Sequence, residues 1–179
     1  MDEIITIITH AIFAGTCVIV PFLLVLHLFK LKLPLLDNST IVLAVNITLL
    51  LGSSIFIAQI IIDFPIQYYS GGEYEQYTFT NRMVGPYWFY FWFIGAGIHG
   101  LSPQILWIKK LRSSFTSSVV IVSIWLLIFI AGLILAMRSD WNFSQRFEVF
   151  YPLRDVVTYL VIISIIYFVI NRKMKLAKP

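Results

Sequence analysis

The sequence predicts an all-α, polytopic membrane protein of five transmembrane helices, arranged as one four-helix bundle plus one extra helix. Three observations predict it. Apolar runs of bilayer-spanning length recur along the chain, basic residues gather in alternate segments between those runs, and 59% hydrophobic against 12% charged residues leaves too little polar surface for water. A mean hydropathy of +0.88 agrees with the third. In hydrocarbon every backbone amide needs an internal partner, and runs of roughly 20 apolar residues match a spanning helix and not a barrel strand.

The first run, about 4–29, follows Asp2 and Glu3. A secretory signal begins with basic residues and ends in a small-residue cleavage site, so this run reads as a retained helix. The others lie near 41–69, 85–108, 115–137 and 156–170. None of the linkers is long enough for a separate soluble domain, and 1–179 reads as a single integral membrane domain. Small residues at four-residue spacing, Ala96 with Gly100 and Gly132 with Ala136, predict a close approach of the third and fourth helices.

Lys and Arg are retained on the cytoplasmic side of a membrane. Lys30 and Lys32 follow the first run, Lys109, Lys110 and Arg112 the third, and Arg172, Lys173, Lys175 and Lys178 the last. The intervening segments are acidic or mixed, with Asp63, Glu73, Glu75 and Arg82 in one and Arg138, Asp140, Arg146, Glu148, Arg154 and Asp155 in the other. This alternation predicts an inner-membrane protein with its N-terminus outside and its C-terminus in the cytoplasm. Tyr68, Tyr69, Tyr74, Tyr77, Tyr87, Trp88 and Trp141 crowd the expected outer boundary and Trp107 the inner one, as interfacial anchors do.

The net charge of +4 is carried by these topology signals, not by a patch that would meet a polyanion, so no nucleic-acid partner is expected. Cys17 is the only cysteine and lies inside an apolar run. That removes a disulfide framework, a covalent haem attachment and a thiolate set for an iron-sulfur cluster. No metal site is read. His27 and His99 are expected to differ in depth by more than ~10 Å at 1.5 Å per residue, so bis-histidine haem is not expected either.

Ionisable groups at membrane depth need a partner or a purpose. His10 near the outer end of the first helix, Asp63 near that of the second, Arg82 before the third and Arg138 closing the fourth are placed to share one layer. With Tyr87 and Trp88 beside it, such a layer holds the parts of a quinol site: a carboxylate or imidazole to take the hydroxyl proton, an aromatic wall, and arginines that keep the carboxylate ionised. The plainer reading is a set of interhelical ion pairs at headgroup level. His99 lies deeper and reads as an interhelical hydrogen-bond donor or as part of a proton path with Gln104, which follows the helix-bending Pro103.

Between Asp63 and Lys110 the sequence carries a run of motifs: Asp63-Phe64-Pro65 leading to Tyr69-Ser70-Gly71, Asn81-Arg82, Gly85-Pro86-Tyr87-Trp88, and Ser102-Pro103-Gln104 leading to Trp107-Ile108-Lys109-Lys110. The stretch resembles the NrfD/polysulfide-reductase-type membrane subunits, most closely the second half of the large quinol-oxidising subunit of alternative complex III. That resemblance implies a quinol- or quinone-linked respiratory complex, iron-sulfur and cytochrome subunits as partners, and a quinone such as menaquinone shared with a partner. It also places Asp63, Arg82 and Arg138 at the family's acid and arginine positions. His99 stands where the family carries a small polar amide, and Met137 where an acid precedes the arginine. The family's subunits are built as two similar four-helix bundles, so the resemblance leaves the quinol site either completed by a neighbouring subunit or not present in this chain.

Three functions therefore enter the structural comparison. One is a membrane subunit of a quinol-linked oxidoreductase, which would not be catalytic alone. The second is a noncatalytic assembly subunit of a respiratory complex. The third is a small transporter or channel, which the lack of a visible internal repeat makes less attractive.

Overall fold

The computed structural model describes residues 2–31, 37–69, 72–86, 88–138 and 150–176, and among these the regular structure is helical throughout. In chain order the elements are α1 (Asp2–Leu28), α2 (Asn38–Tyr69), α3 (Glu73–Met83), a π-helix (Tyr90–Leu101) that runs into a 3-10 helix (Ser102–Trp107), α4 (Lys109–Arg112), α5 (Phe115–Arg138) and α6 (Phe150–Leu176). By length and composition α1, α2 and α6 are long and apolar enough to cross a membrane, and α5 adds a shorter apolar stretch, Phe115–Ala131. The chain is an all-α membrane protein.

The helix ends follow from local chemistry. At the end of α1 the Leu31 N–H donates to the Leu26 carbonyl at 2.9 Å and the Lys30 N–H to the His27 carbonyl at 3.2 Å. This is a Schellman closure, with Lys30 at φ 54° in the left-handed position that glycine usually fills. Asp37 starts α2: its carboxylate accepts from the Thr40 N–H at 3.0 Å and from the Ser39 and Thr40 hydroxyls at 2.5 Å each. Those bonds, the Ser39 hydroxyl first, hold the Asp37 carboxyl below the usual carboxylate range.

The third apolar run is not an α-helix. Ser102 donates its N–H to the Gly97 carbonyl five residues back, and in that register the next donor would serve Ile98. The next residue is Pro103, which has no N–H. The Ile98 carbonyl is satisfied instead by the Ser102 hydroxyl at 2.5 Å and the Trp125 indole N–H of α5 at 3.1 Å. A wide helix before the proline and a tight one after it are the adjustments that let proline sit within a bundle.

Four segments share the core. Leu49 and Leu50 of α2, Leu106 of the 3-10 helix and Ile121 and Trp125 of α5 form one cluster, with Phe13 and Cys17 of α1 packed on it. Val20, Ile41, Val45 and Val122 form a second. The fifth apolar helix, α6, packs on the outer side of α1 and α2, and only 11% of its apolar window is buried, against 50% for α2. Two glycines let side chains of neighbouring helices lie directly against the backbone. A Cβ added at Gly15 would meet the Tyr159 ring at 2.1 Å, and one at Gly52 would meet Ile12 at 2.5 Å. Gly100 faces Ile57 of α2 and not α5 as the small-residue spacing predicts. The contacts of Gly132 and Ala136 lie outside what is described.

A helix also forms where the sequence predicts an outer connecting segment. α3 folds back on the end of α2, with Phe79 buried and its ring edge-on to Phe64 at 5.0 Å and to Tyr68 at 6.4 Å. Its other face exposes Tyr74 and Tyr77, an arrangement suited to the headgroup layer.

Candidate functional site

Among the described residues no contact joins the members of the expected outer layer. Asp63, Arg82 and His10 are all exposed, and none of the three makes a hydrogen bond or ion pair among the described residues. The physical reason lies in the length of α2. Asp63 stands 25 residues beyond Asn38, about 37 Å along the axis, whereas hydrocarbon is about 30 Å thick. The helix from Asn38 to Asp63 is therefore longer than hydrocarbon is thick, so Asp63 can sit at a headgroup layer without a partner inside the bundle. Trp88 is exposed beside Phe89. Tyr87 and the side chain of Arg138 lie outside the described residues, as does the segment 139–149 with Trp141.

The described ion pair is a different one. Arg154 donates from Nε and Nη2 to Asp155 Oδ1 at 3.0 and 2.9 Å, and Asp155 is 6% exposed. Sequence reasoning assigned both residues to the outer mixed segment and missed that the acid is buried. The available signal was position: Asp155 precedes Tyr159 by one turn, and Tyr159 is fully buried against Gly15.

His99 and Gln104 are both half-buried and are not hydrogen-bonded to each other. The His99 Nδ1 lies 2.8 Å from the Ile94 carbonyl, which can only accept, so that nitrogen carries the proton. The ring stacks on Trp125 at 5.2 Å and meets the edge of Phe13 at 6.0 Å. Gln104 is a clamp between helices. Its Nε2 donates to the Ser53 hydroxyl at 2.9 Å, and its Oε1 accepts from the Trp107 indole N–H at 2.9 Å. An amide so engaged holds the 3-10 helix to α2 and offers no titrating proton. His27 lies beside Phe115 and His99 beside Trp125, which sets the two histidines about 15 Å apart along α5. Among the described residues no three His, Cys, Asp or Glu side chains converge as metal ligands would.

No family model, curated protein or solved structure matches this chain in the comparisons made.

A second polar centre was not foreseen. Asn46, fully buried on α2, donates from Nδ2 to the carbonyls of Arg112 at 2.8 Å and Ser114 at 3.1 Å and accepts from the Ser118 hydroxyl at 2.6 Å. Both polar atoms of the amide are used, and the carbonyls of Arg112, which ends α4, and of Ser114 beyond it are satisfied. The only sequence signal was an amide interrupting the run Ala44-Val45-Asn46-Ile47.

Proposed function

We propose that this chain is an integral membrane subunit of a respiratory quinol- or quinone-linked oxidoreductase complex of the NrfD/polysulfide-reductase type, in which a neighbouring subunit completes the quinol site. The observation that carries the reading is Asp63, an exposed carboxylate without a partner among the described residues near the end of a 32-residue apolar helix, whose following turns carry exposed rings at Phe64, Tyr68 and Tyr69. Such a group is available to a quinol hydroxyl or to an arginine of a partner chain. The sequence resemblance between Asp63 and Lys110 adds the reaction class. In this reading the N-terminus is outside and the C-terminus cytoplasmic in the inner membrane. The clustering of Lys30, Lys109, Lys110, Arg112, Arg172 and Lys173 at one end of the bundle supports that orientation.

The decisive experiment is purification in mild detergent, followed by the optical spectrum of the complex and quinol turnover of Asp63→Asn. Copurified haem or iron-sulfur proteins and turnover lowered at least tenfold are the expected results. A colourless chain that purifies without partners would overturn the reading. The absence of an Asp63–Arg82 ion pair favours a second reading, a noncatalytic assembly subunit. In that case Asp63→Asn and His10→Ala change the yield of complex and leave activity per assembled complex unchanged.

A further inference from the structure

At the end of the bundle where α1 closes, a recess of about 270 Å³ opens between α1, α2 and the start of α5, with Leu26, His27, Asn38, Val42, Ser113 and Phe115 in its wall. It exists because Asn46 hangs the α4–α5 turn about 12 Å up α2 from Asn38, leaving a step beneath the turn. The step is apolar on the bundle side and polar at the rim.

The rim is a donor surface. The Ser39 hydroxyl donates to Asp37 and the Ser113 hydroxyl to the carbonyls of Lys109 and Lys110, so neither hydrogen is free. The His27 ring and the Asn38 carboxamide have no hydrogen-bond partner among the described residues, and both offer N–H groups. Cations surround them in the chain: Lys30 precedes the lining residue Leu31, and Lys109, Lys110 and Arg112 lead directly into Ser113. Arg172 and Lys173 close α6 at the same end, where the Asp37 N–H donates to the Tyr167 hydroxyl at 3.3 Å. Asp37 is the opposing charge at this rim, and its carboxylate already accepts from Ser39 and Thr40.

We propose that this recess is a binding site for the headgroup of an anionic phospholipid. The phosphate takes hydrogen bonds from His27 and Asn38, the surrounding lysines and arginines supply the attractive potential, and an acyl chain lies along Leu26, Val42 and Phe115. A basic pocket between helices at one end of the bundle presents the charge and the apolar wall that one lipid molecule satisfies together. The site stands independently of the quinol reading.

The test is thermal unfolding of the full chain in neutral detergent with added phosphatidylglycerol, phosphatidylcholine or inorganic phosphate at matched concentrations. Phosphatidylglycerol is expected to raise the midpoint in a saturable way, and the other two to leave it in place. His27→Leu with Asn38→Leu should raise the half-saturating lipid concentration at least tenfold. Lys109→Gln with Lys110→Gln, at two exposed positions, should raise it in the same direction and covers the case in which the first pair fails to fold. Equal shifts with phosphatidylcholine mean an apolar groove only, and equal shifts with inorganic phosphate mean a free-anion site. Either result, or unchanged lipid response in the variants that fold, overturns the proposal.

Discussion

The indole N–H of Trp125 donates to the carbonyl of Ile98 at 3.1 Å, across the interface between α5 and the π-helix. It supplies, from another helix, a donor that Pro103 lacks in the wide register. The Ser102 hydroxyl supplies a second to the same oxygen.

Trp125→Phe keeps an aromatic ring but removes the donor and part of the buried indole, and is expected to cost about 1–3 kcal/mol with Ser102 still serving Ile98. Combined with Ser102→Ala, the loss should exceed the sum of the two single losses, since only the pair leaves the carbonyl unsatisfied. Pro103→Ala restores an N–H and should shrink the Trp125→Phe penalty. Chemical unfolding of the variants in detergent reads all of these.

Tyr159 and Gly15 give a second test. Gly15→Ala places a methyl inside the Tyr159 ring and should destabilise by about 1–3 kcal/mol, with part of the loss recovered when Tyr159→Leu is added. Tyr159→Phe should move the other way. The buried hydroxyl has no hydrogen-bond partner among the described residues, and its neighbour Thr16 donates to the Ile12 carbonyl at 2.6 Å. Removing the hydroxyl is expected to raise stability by about 1 kcal/mol, measured as a higher unfolding midpoint.

Lys30 occupies left-handed backbone space with a Cβ present. Lys30→Gly should stabilise by about 1 kcal/mol by removing that steric conflict. Lys30→Ala removes the same charge but keeps the Cβ, so it should show no gain. A gain of equal size in both variants would locate the effect in the charge and not in the backbone.

The Asp37 cap makes stability depend on pH. A carboxyl lowered by its hydrogen bonds in the folded chain favours folding above the unfolded value near pH 4 and loses that contribution as pH falls through the lower folded value. Asp37→Ala should therefore cost about 1 kcal/mol at neutral pH. The difference from the parent chain should narrow steadily below about pH 4, which a series of unfolding curves from pH 6 to pH 2.5 would show.

Asp63 and Asp155 mark where reading along the chain stops. Both looked like outer-segment acids, and the more interior of the two by sequence, Asp63, is the exposed one, on a helix of 32 residues that is longer than hydrocarbon requires. Asp155 is buried because α6 begins at Phe150, several residues before its apolar run, and carries the acid against the bundle beside Arg154. His99 is half-buried, and its stacking on Trp125 rests on a residue 26 positions away in sequence that no local pattern connects to it.

The sequence alone determined that this chain is helical and resides in a membrane, because the transfer of apolar residues and the need to satisfy every amide act residue by residue and leave their record in composition and run length. Only the tertiary structure decided which polar groups meet: Asn46 with the α4–α5 turn, Gln104 with Ser53, Ile98 with Trp125. Hydrogen bonds are directional and short, so a carbonyl or carboxamide acquires its partner only when the helices take up a definite depth and rotation against one another.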